Sequence, residues 1–205
     1  MAMGFRLWIL VWLGLLGGIP VIGDAAPLDS WIRQAEQGDV KAQLKLGQMF
    51  HEGRGVAVEY RQAMRWYRLA AAQGNAEAQN GVGTLYDNGK GVTRDYREAA
   101  RWFLMAAEQD HVLARRNLGW MYEKGQGLVQ DDERSYLWQF LAQRARDGKR
   151  VGQENDPCRF CATVAARMTP ARIARAREMA RQWKPGEPLV FAPLRPRQGS
   201  GATPR

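Results

Sequence analysis

The feature that most constrains this chain is an internal repeat of 36 residues that runs without insertion over about 35–142. Ala42, Ala78 and Ala114 stand one period apart, as do Gly47, Gly83 and Gly119, and Phe50, Tyr86 and Tyr122. A Gly-x-Gly pair recurs as Gly53/Gly55, Gly89/Gly91 and Gly125/Gly127. Trp66, Trp102 and Trp138 follow, then Ala70, Ala106 and Ala142. Self-similarity of this kind marks an array whose units bury their apolar faces only against one another.

Each unit reads as two helices. In the first, helix A, Ala42, Leu46 and Phe50 recur every four residues and line one face. The Gly-x-Gly pair ends that helix, because glycine accepts the left-handed backbone of a helix C-terminus. In the second, helix B, Ala63, Trp66, Tyr67 and Ala70 fall at i, i+3, i+4 and i+7, an apolar stripe. Small residues let the backbones approach, and each Trp fills the space between neighbours. The pattern predicts an all-α chain: a right-handed αα-superhelix of three helical hairpins at about 35–70, 71–106 and 107–142.

The pattern A-x-x-x-L-G-x-x-[FY]-x-x-G-x-G-V, followed by A-x-x-W-[YF]-x-x-A, resembles the Sel-one-like repeat, a cousin of the tetratricopeptide repeat. That resemblance implies a non-catalytic adaptor in protein–protein interaction, often exported in bacteria. The third copy departs at Asp110, Asp132 and Ser135, where the earlier copies carry Gly, Tyr and Ala. Departures of this kind are expected near a terminal cap.

The flanks read differently. Residues 1–25 have the form of a secretory signal: Arg6, an apolar run from Leu7 to Leu16, and small residues up to Ala25. Cleavage there predicts a periplasmic or secreted chain with no membrane span. Retention as an anchor is the competing reading, disfavoured by the shortness of the run. Residues 26–38 read as an N-terminal cap helix. Residues 143–184 form a basic capping region with a helix opening at Thr169-Pro170, and 185–205 a Pro/Arg-rich tail. Of the net charge of +9, all lies in the last segment: residues 143–205 carry fourteen Lys or Arg against five acidic residues.

Two surfaces are candidates for function. The outer ridge of the A helices varies between copies and presents Gln48, His51, Asn80, Thr84, Asp87, Arg116, Trp120 and Glu123. In related superhelices these helices line the groove that holds a partner, and an aromatic beside Arg suits a hot spot. We expect this ridge to bind an unidentified protein partner. The second is the basic set Arg167, Arg172, Arg175, Arg177 and Arg181, which would suit anionic lipid or glycan of a cell envelope. Nucleic acid is not expected, since the leader directs the chain away from it.

Cys158 and Cys161 form the only cysteine pair. A thioredoxin-like role would need a βαβ setting, c-type haem would need His at 162, and a metal site would need further ligands. A local structural disulfide is the favoured reading. We expect no catalytic residue, metal or cofactor: two His and three Ser leave little for hydrolysis, and no phosphate loop or H-E-x-x-H occurs. Some cysteine-rich relatives of the repeat family are linked to β-lactams, but their repeated Cys pairs and an S-x-x-K are missing here.

Overall fold

A computed structural model describes residues 25–146 and 158–186. The leader read over 1–25 and the tail read over 185–205 fall almost wholly outside the described residues. Every described element is helical: α1 (Ala25–Glu36), α2 (Val40–Glu52), α3 (Tyr60–Ala72), α4 (Ala76–Asn88), α5 (Tyr96–Glu108), α6 (Val112–Lys124), α7 (Asp132–Arg146), α8 (Ala162–Ala165) and α9 (Pro170–Gln182). The pairs α2/α3, α4/α5 and α6/α7 are the three hairpins. Each helix packs chiefly on its neighbours in sequence, and α9 closes the array against α7.

The repeated residues build the core as the spacing predicts. Ala42, Ala78 and Ala114 are fully buried, as are Leu46, Val82 and Leu118. Burying a leucine stabilises by about 1.5–3 kcal/mol. Trp66 and Trp138 are buried too. The mid-helix glycines serve close approach: a Cβ on Gly47 would lie 2.4 Å from the ring of Tyr67, and one on Gly83 would lie 2.8 Å from Phe103. The second glycine of the later two Gly-x-Gly pairs joins repeat to repeat. A Cβ on Gly91 would meet the Tyr60 backbone at 2.6 Å, and one on Gly127 the Tyr96 carbonyl oxygen at 2.3 Å.

One polar scheme recurs with the core. The side chain at the fourth residue of each A helix donates to the carbonyl eight residues back: Gln43 Nε2 to Ala35, Gln79 Nε2 to Ala71, Arg115 Nε to Ala107. Gln73 Nε2 donates to Gln43 Oε1 at 2.8 Å, and Gln109 Nε2 to Gln79 Oε1 at 2.7 Å, so each A helix is tied to the end of its own B helix, while the bond from Gln79 to Ala71 reaches the preceding hairpin. The A helices share a cap as well. Asp39, Asn75 and His111 each accept the backbone N–H three residues on. The two histidines therefore differ in role: His111 is a helix cap, whereas His51 lies edge-on to Tyr60 and Tyr67.

The third repeat departs where the sequence does. Asp110 takes the left-handed backbone (φ 71°) that Gly38 and Gly74 hold in the earlier copies. Its carboxylate pairs with Arg115, whose side chain is 2% exposed. The Arg115 guanidinium also stacks on Trp183, 4.4 Å from the ring centroid. Trp183 follows α9 and meets Trp138 edge to face. The terminal hairpin thus replaces the glutamine relay with a buried cation under the capping helix.

Candidate functional site

A groove of about 510 Å³ opens at the third hairpin. Helix α6 supplies Arg116, Asn117, Trp120, Met121, Glu123 and Lys124. Asp87 comes from α4, Phe103 from α5 and Gln139 from α7. Phe160 and Thr163, from the segment beyond the repeats, close the far side. Helix periodicity places Arg116, Trp120 and Lys124 on one ridge, four residues apart. Trp120 is 45% exposed, a large apolar surface left open. Arg116 is exposed and has no ionic or hydrogen-bond partner among the described residues.

Four of the eight ridge residues line this groove: Asp87, Arg116, Trp120 and Glu123. The other four lie apart from it. Gln48 donates to Glu77, and His51 is half-buried against Tyr60 and Tyr67. Asn80 Oδ1 accepts from Asn117 Nδ2 at 3.3 Å, and the Thr84 hydroxyl donates to the Asn80 carbonyl at 2.9 Å. Glu123 differs from the exposed position its spacing suggests. It is 7% exposed, because α7 and Arg167 cover it. Lys124 stays on the ridge beside it.

The carboxylates of the groove are held in distinct ways. Glu123 faces Arg167 at 3.6 Å and Lys124 at 3.7 Å, and accepts from Gln139 at 3.4 Å. Asp87 Oδ1 is buried without a hydrogen-bond donor among the described residues. Burial pushes the Asp87 carboxyl above its ordinary range, with the Arg94 cation opposing. Burial, and then Lys90, hold His51 below the usual imidazole range, against a weaker pull from Glu52.

The five arginines of the basic set all have partners within the chain. Arg167 grips Asp132 through two nitrogens, Nε and Nη2. Arg172 and Arg175 converge on Glu133. Arg177 Nε donates to the Tyr136 hydroxyl, and Arg181 pairs with Glu178 one turn earlier. Much of this charge is thus spent on fastening α9 and the loop before it to the acidic start of α7.

Cys158 and Cys161 are joined in a disulfide, and both are buried. The loop they close carries Phe160, whose N–H donates to Gln143 Oε1 at 3.1 Å. The disulfide therefore stands behind one wall of the groove. Sequence reasoning did not reach Phe160 or Thr163, which lie outside the repeat register, nor Phe103, Asn117, Met121, Lys124 and Gln139 within it. No group of three His, Cys, Asp or Glu among the described residues is placed to hold a metal. No described helix is long and apolar enough to cross a membrane.

Comparison with known proteins places the architecture. The family model of the Sel1 repeat matches residues 40–75, 76–111 and 112–138. A Sel1 repeat protein from Oxalobacter formigenes is 32% identical, with a TM-score of 0.52 over 60% of this chain and 96% of that one. The c5321 protein, a protective antigen of uropathogenic Escherichia coli with an SLR fold, is 24% identical. It has a TM-score of 0.50 over 76% of this chain and 39% of its own, and supports the fold alone. No curated protein matches the chain. Three matched repeats in unbroken register, with a relative followed over nearly its whole length, make this chain a member of the Sel1 repeat family.

Proposed function

We propose that this protein is an exported, non-catalytic scaffold that holds a protein partner in the groove along its A helices, with Trp120 as the anchor. Sel1 repeat proteins are in general scaffolds for protein interaction, which sets the class. One observation supports the place: an exposed Trp120 beside Arg116, which has no partner among the described residues, at the mouth of a groove of about 510 Å³. Buried aromatic and arginine anchors dominate the energetics of protein interfaces. Export is supported by the apolar leader from Leu7 to Leu16 and by the joined cysteines, a pairing that persists in oxidising compartments. The anionic-surface reading draws less support, because its five arginines already hold partners within the chain.

Affinity capture from envelope extract tests the proposal. The protein is set beside a variant carrying Asn80→Ala, Arg116→Ala and Trp120→Ala. We expect one or more proteins held by the parent and lost by the variant. Equal capture by both would reject the groove. A chromogenic β-lactam left uncleaved is the expected result for a non-catalytic chain, and turnover would reject that part.

A further inference from the structure

We infer that the groove is built for an extended acidic peptide, with an acidic residue at i, an apolar residue at i+2 and an acidic residue at i+4, laid along α6. The inference rests on the groove reading above and names the chemistry of its occupant. It starts from the ridge Arg116–Trp120–Lys124, a cation, an aromatic and a cation one helical turn apart. Trp120 is 45% exposed, and the side chain of Lys124 is 48% exposed. The corresponding ridges of the earlier repeats are Leu44–Gln48–Glu52 and Asn80–Thr84–Asn88, which carry no cation and no aromatic. The feature belongs to the third hairpin, where the groove lies.

Charge complementarity selects the occupant. Arg116 has no partner among the described residues, and Lys124 has only Glu123 at 3.7 Å. Glu123 is 7% exposed and shared with Arg167, so its charge is already answered within the chain. The open charge at the groove mouth is positive. Asp87, the other carboxylate of the groove, is half-buried and faces the Arg94 cation.

Geometry sets the spacing. Eight residues of helix separate Arg116 from Lys124, a rise of about 12 Å. An extended chain covers that distance in about four residues at ~3.3 Å each. Side chains at i, i+2 and i+4 of an extended chain share one face. An acidic residue, an apolar residue and an acidic residue at those positions therefore meet Arg116, Trp120 and Lys124 together.

Fluorescence anisotropy at low salt tests this with the intact protein and three labelled peptides of equal length. One places Glu two positions either side of Phe. One places the same Glu residues directly beside Phe, on the opposite face. One replaces Glu by Lys in the first spacing. We expect the first to bind about tenfold more tightly than either other, and to weaken with added salt. The double variant Arg116→Glu with Lys124→Glu should reverse the preference towards the Lys peptide, with its far-UV circular dichroism and Tm unchanged. Equal binding by all three, binding by none, or a preference unmoved in the double variant would overturn the inference. The groove reading is judged separately. A captured partner lost in the Asn80/Arg116/Trp120 variant but not displaced by the acidic peptide leaves the groove standing and rejects its acidic occupant.

Discussion

Gln43 and Gln79 in the first two repeats, and Arg115 in the third, occupy one register position and reach the same carbonyl eight residues back. Beyond that bond they part. Each glutamine also accepts from a glutamine thirty residues on, which ties the A helix to the end of its own B helix. Arg115 cannot accept, and the chain carries Ala145 where the next glutamine would stand. It turns to Asp110 and Trp183. The outer ridge of α6 changes in the same repeat, from neutral or acidic side chains to Arg116, Trp120 and Lys124. An interior repeat is constrained on both sides, whereas the terminal one faces a cap and is free to specialise. In α6 one face holds Arg115 against Trp183, just beyond α9, and another lines the groove.

That contrast can be broken most strongly at the glycines. Gly55 and Gly127 share a left-handed backbone, φ 72° and 68°. A Cβ on Gly55 meets nothing within 4 Å, while one on Gly127 meets the Tyr96 carbonyl oxygen at 2.3 Å. Gly55→Ala should cost about 1–2 kcal/mol from backbone strain alone. Gly127→Ala should cost about 3–4 kcal/mol once the clash is added. Urea denaturation of both variants checks the difference, and equal losses would show that the inter-repeat contact is slack.

Next in size is the buried cation. Arg115→Ala should destabilise by about 3 kcal/mol, since it leaves a cavity against Trp183 and strips the Ala107 carbonyl of its donor. Arg115→Gln with Asp110→Gly restores the chemistry of the first two repeats at both positions. It should recover at least half of that loss, measured by thermal unfolding. No recovery would mean that the stack on Trp183, rather than the carbonyl bond, holds the terminal repeat.

A smaller effect is expected at Cys158 and Cys161. The closed loop is short, so Cys158→Ser with Cys161→Ser should lower stability by about 1–2 kcal/mol. Because Phe160 walls the groove, partner affinity should fall more than twofold in the same variant. Unchanged affinity would detach the disulfide from the site.

The smallest effect separates the caps. His111 accepts the Ala114 N–H through Nδ1, which requires the neutral ring, while Asp39 and Asn75 cap without that condition. Burial holds its pKa below the usual value, with Glu77 partly opposing. The folded state therefore binds this proton less readily than the unfolded state. The cap's contribution is present above about pH 6.5 and is lost as pH falls through that value towards the lower folded pKa. His111→Asn should remove up to about 1 kcal/mol of that acid loss, measured by denaturation at pH 7.5 and 5. His51 is depressed as well, so some acid dependence remains.

Much of this molecule was legible from one register. The small and apolar positions recur in register, and the fold follows from them, although Trp102 is only half-buried where Trp66 and Trp138 are buried. The caps and the glutamine relay shared that register but were overlooked. Asp39, Asn75 and His111 differ in type, yet all three supply one acceptor to one N–H. Gln43, Gln79 and Arg115 differ in charge and share a donor. Equivalence there lies in hydrogen-bond geometry, not in residue type. The groove was half legible. Arg116 and Trp120 stood out by their chemistry. The burial of Glu123 and the wall of Phe160 and Thr163 depend on how the segment after the repeats folds back, which no periodicity encodes.

The central claim is that binding belongs to the third repeat and centres on Trp120. The most direct test compares Trp120→Ala with Gln48→Ala, its counterpart in the first repeat, by measuring affinity for a captured partner. The account predicts a loss of about thirtyfold for Trp120→Ala, as a hot-spot aromatic gives at about 2 kcal/mol, and less than about twofold for Gln48→Ala. Equal losses, or an affinity indifferent to Trp120, would contradict it.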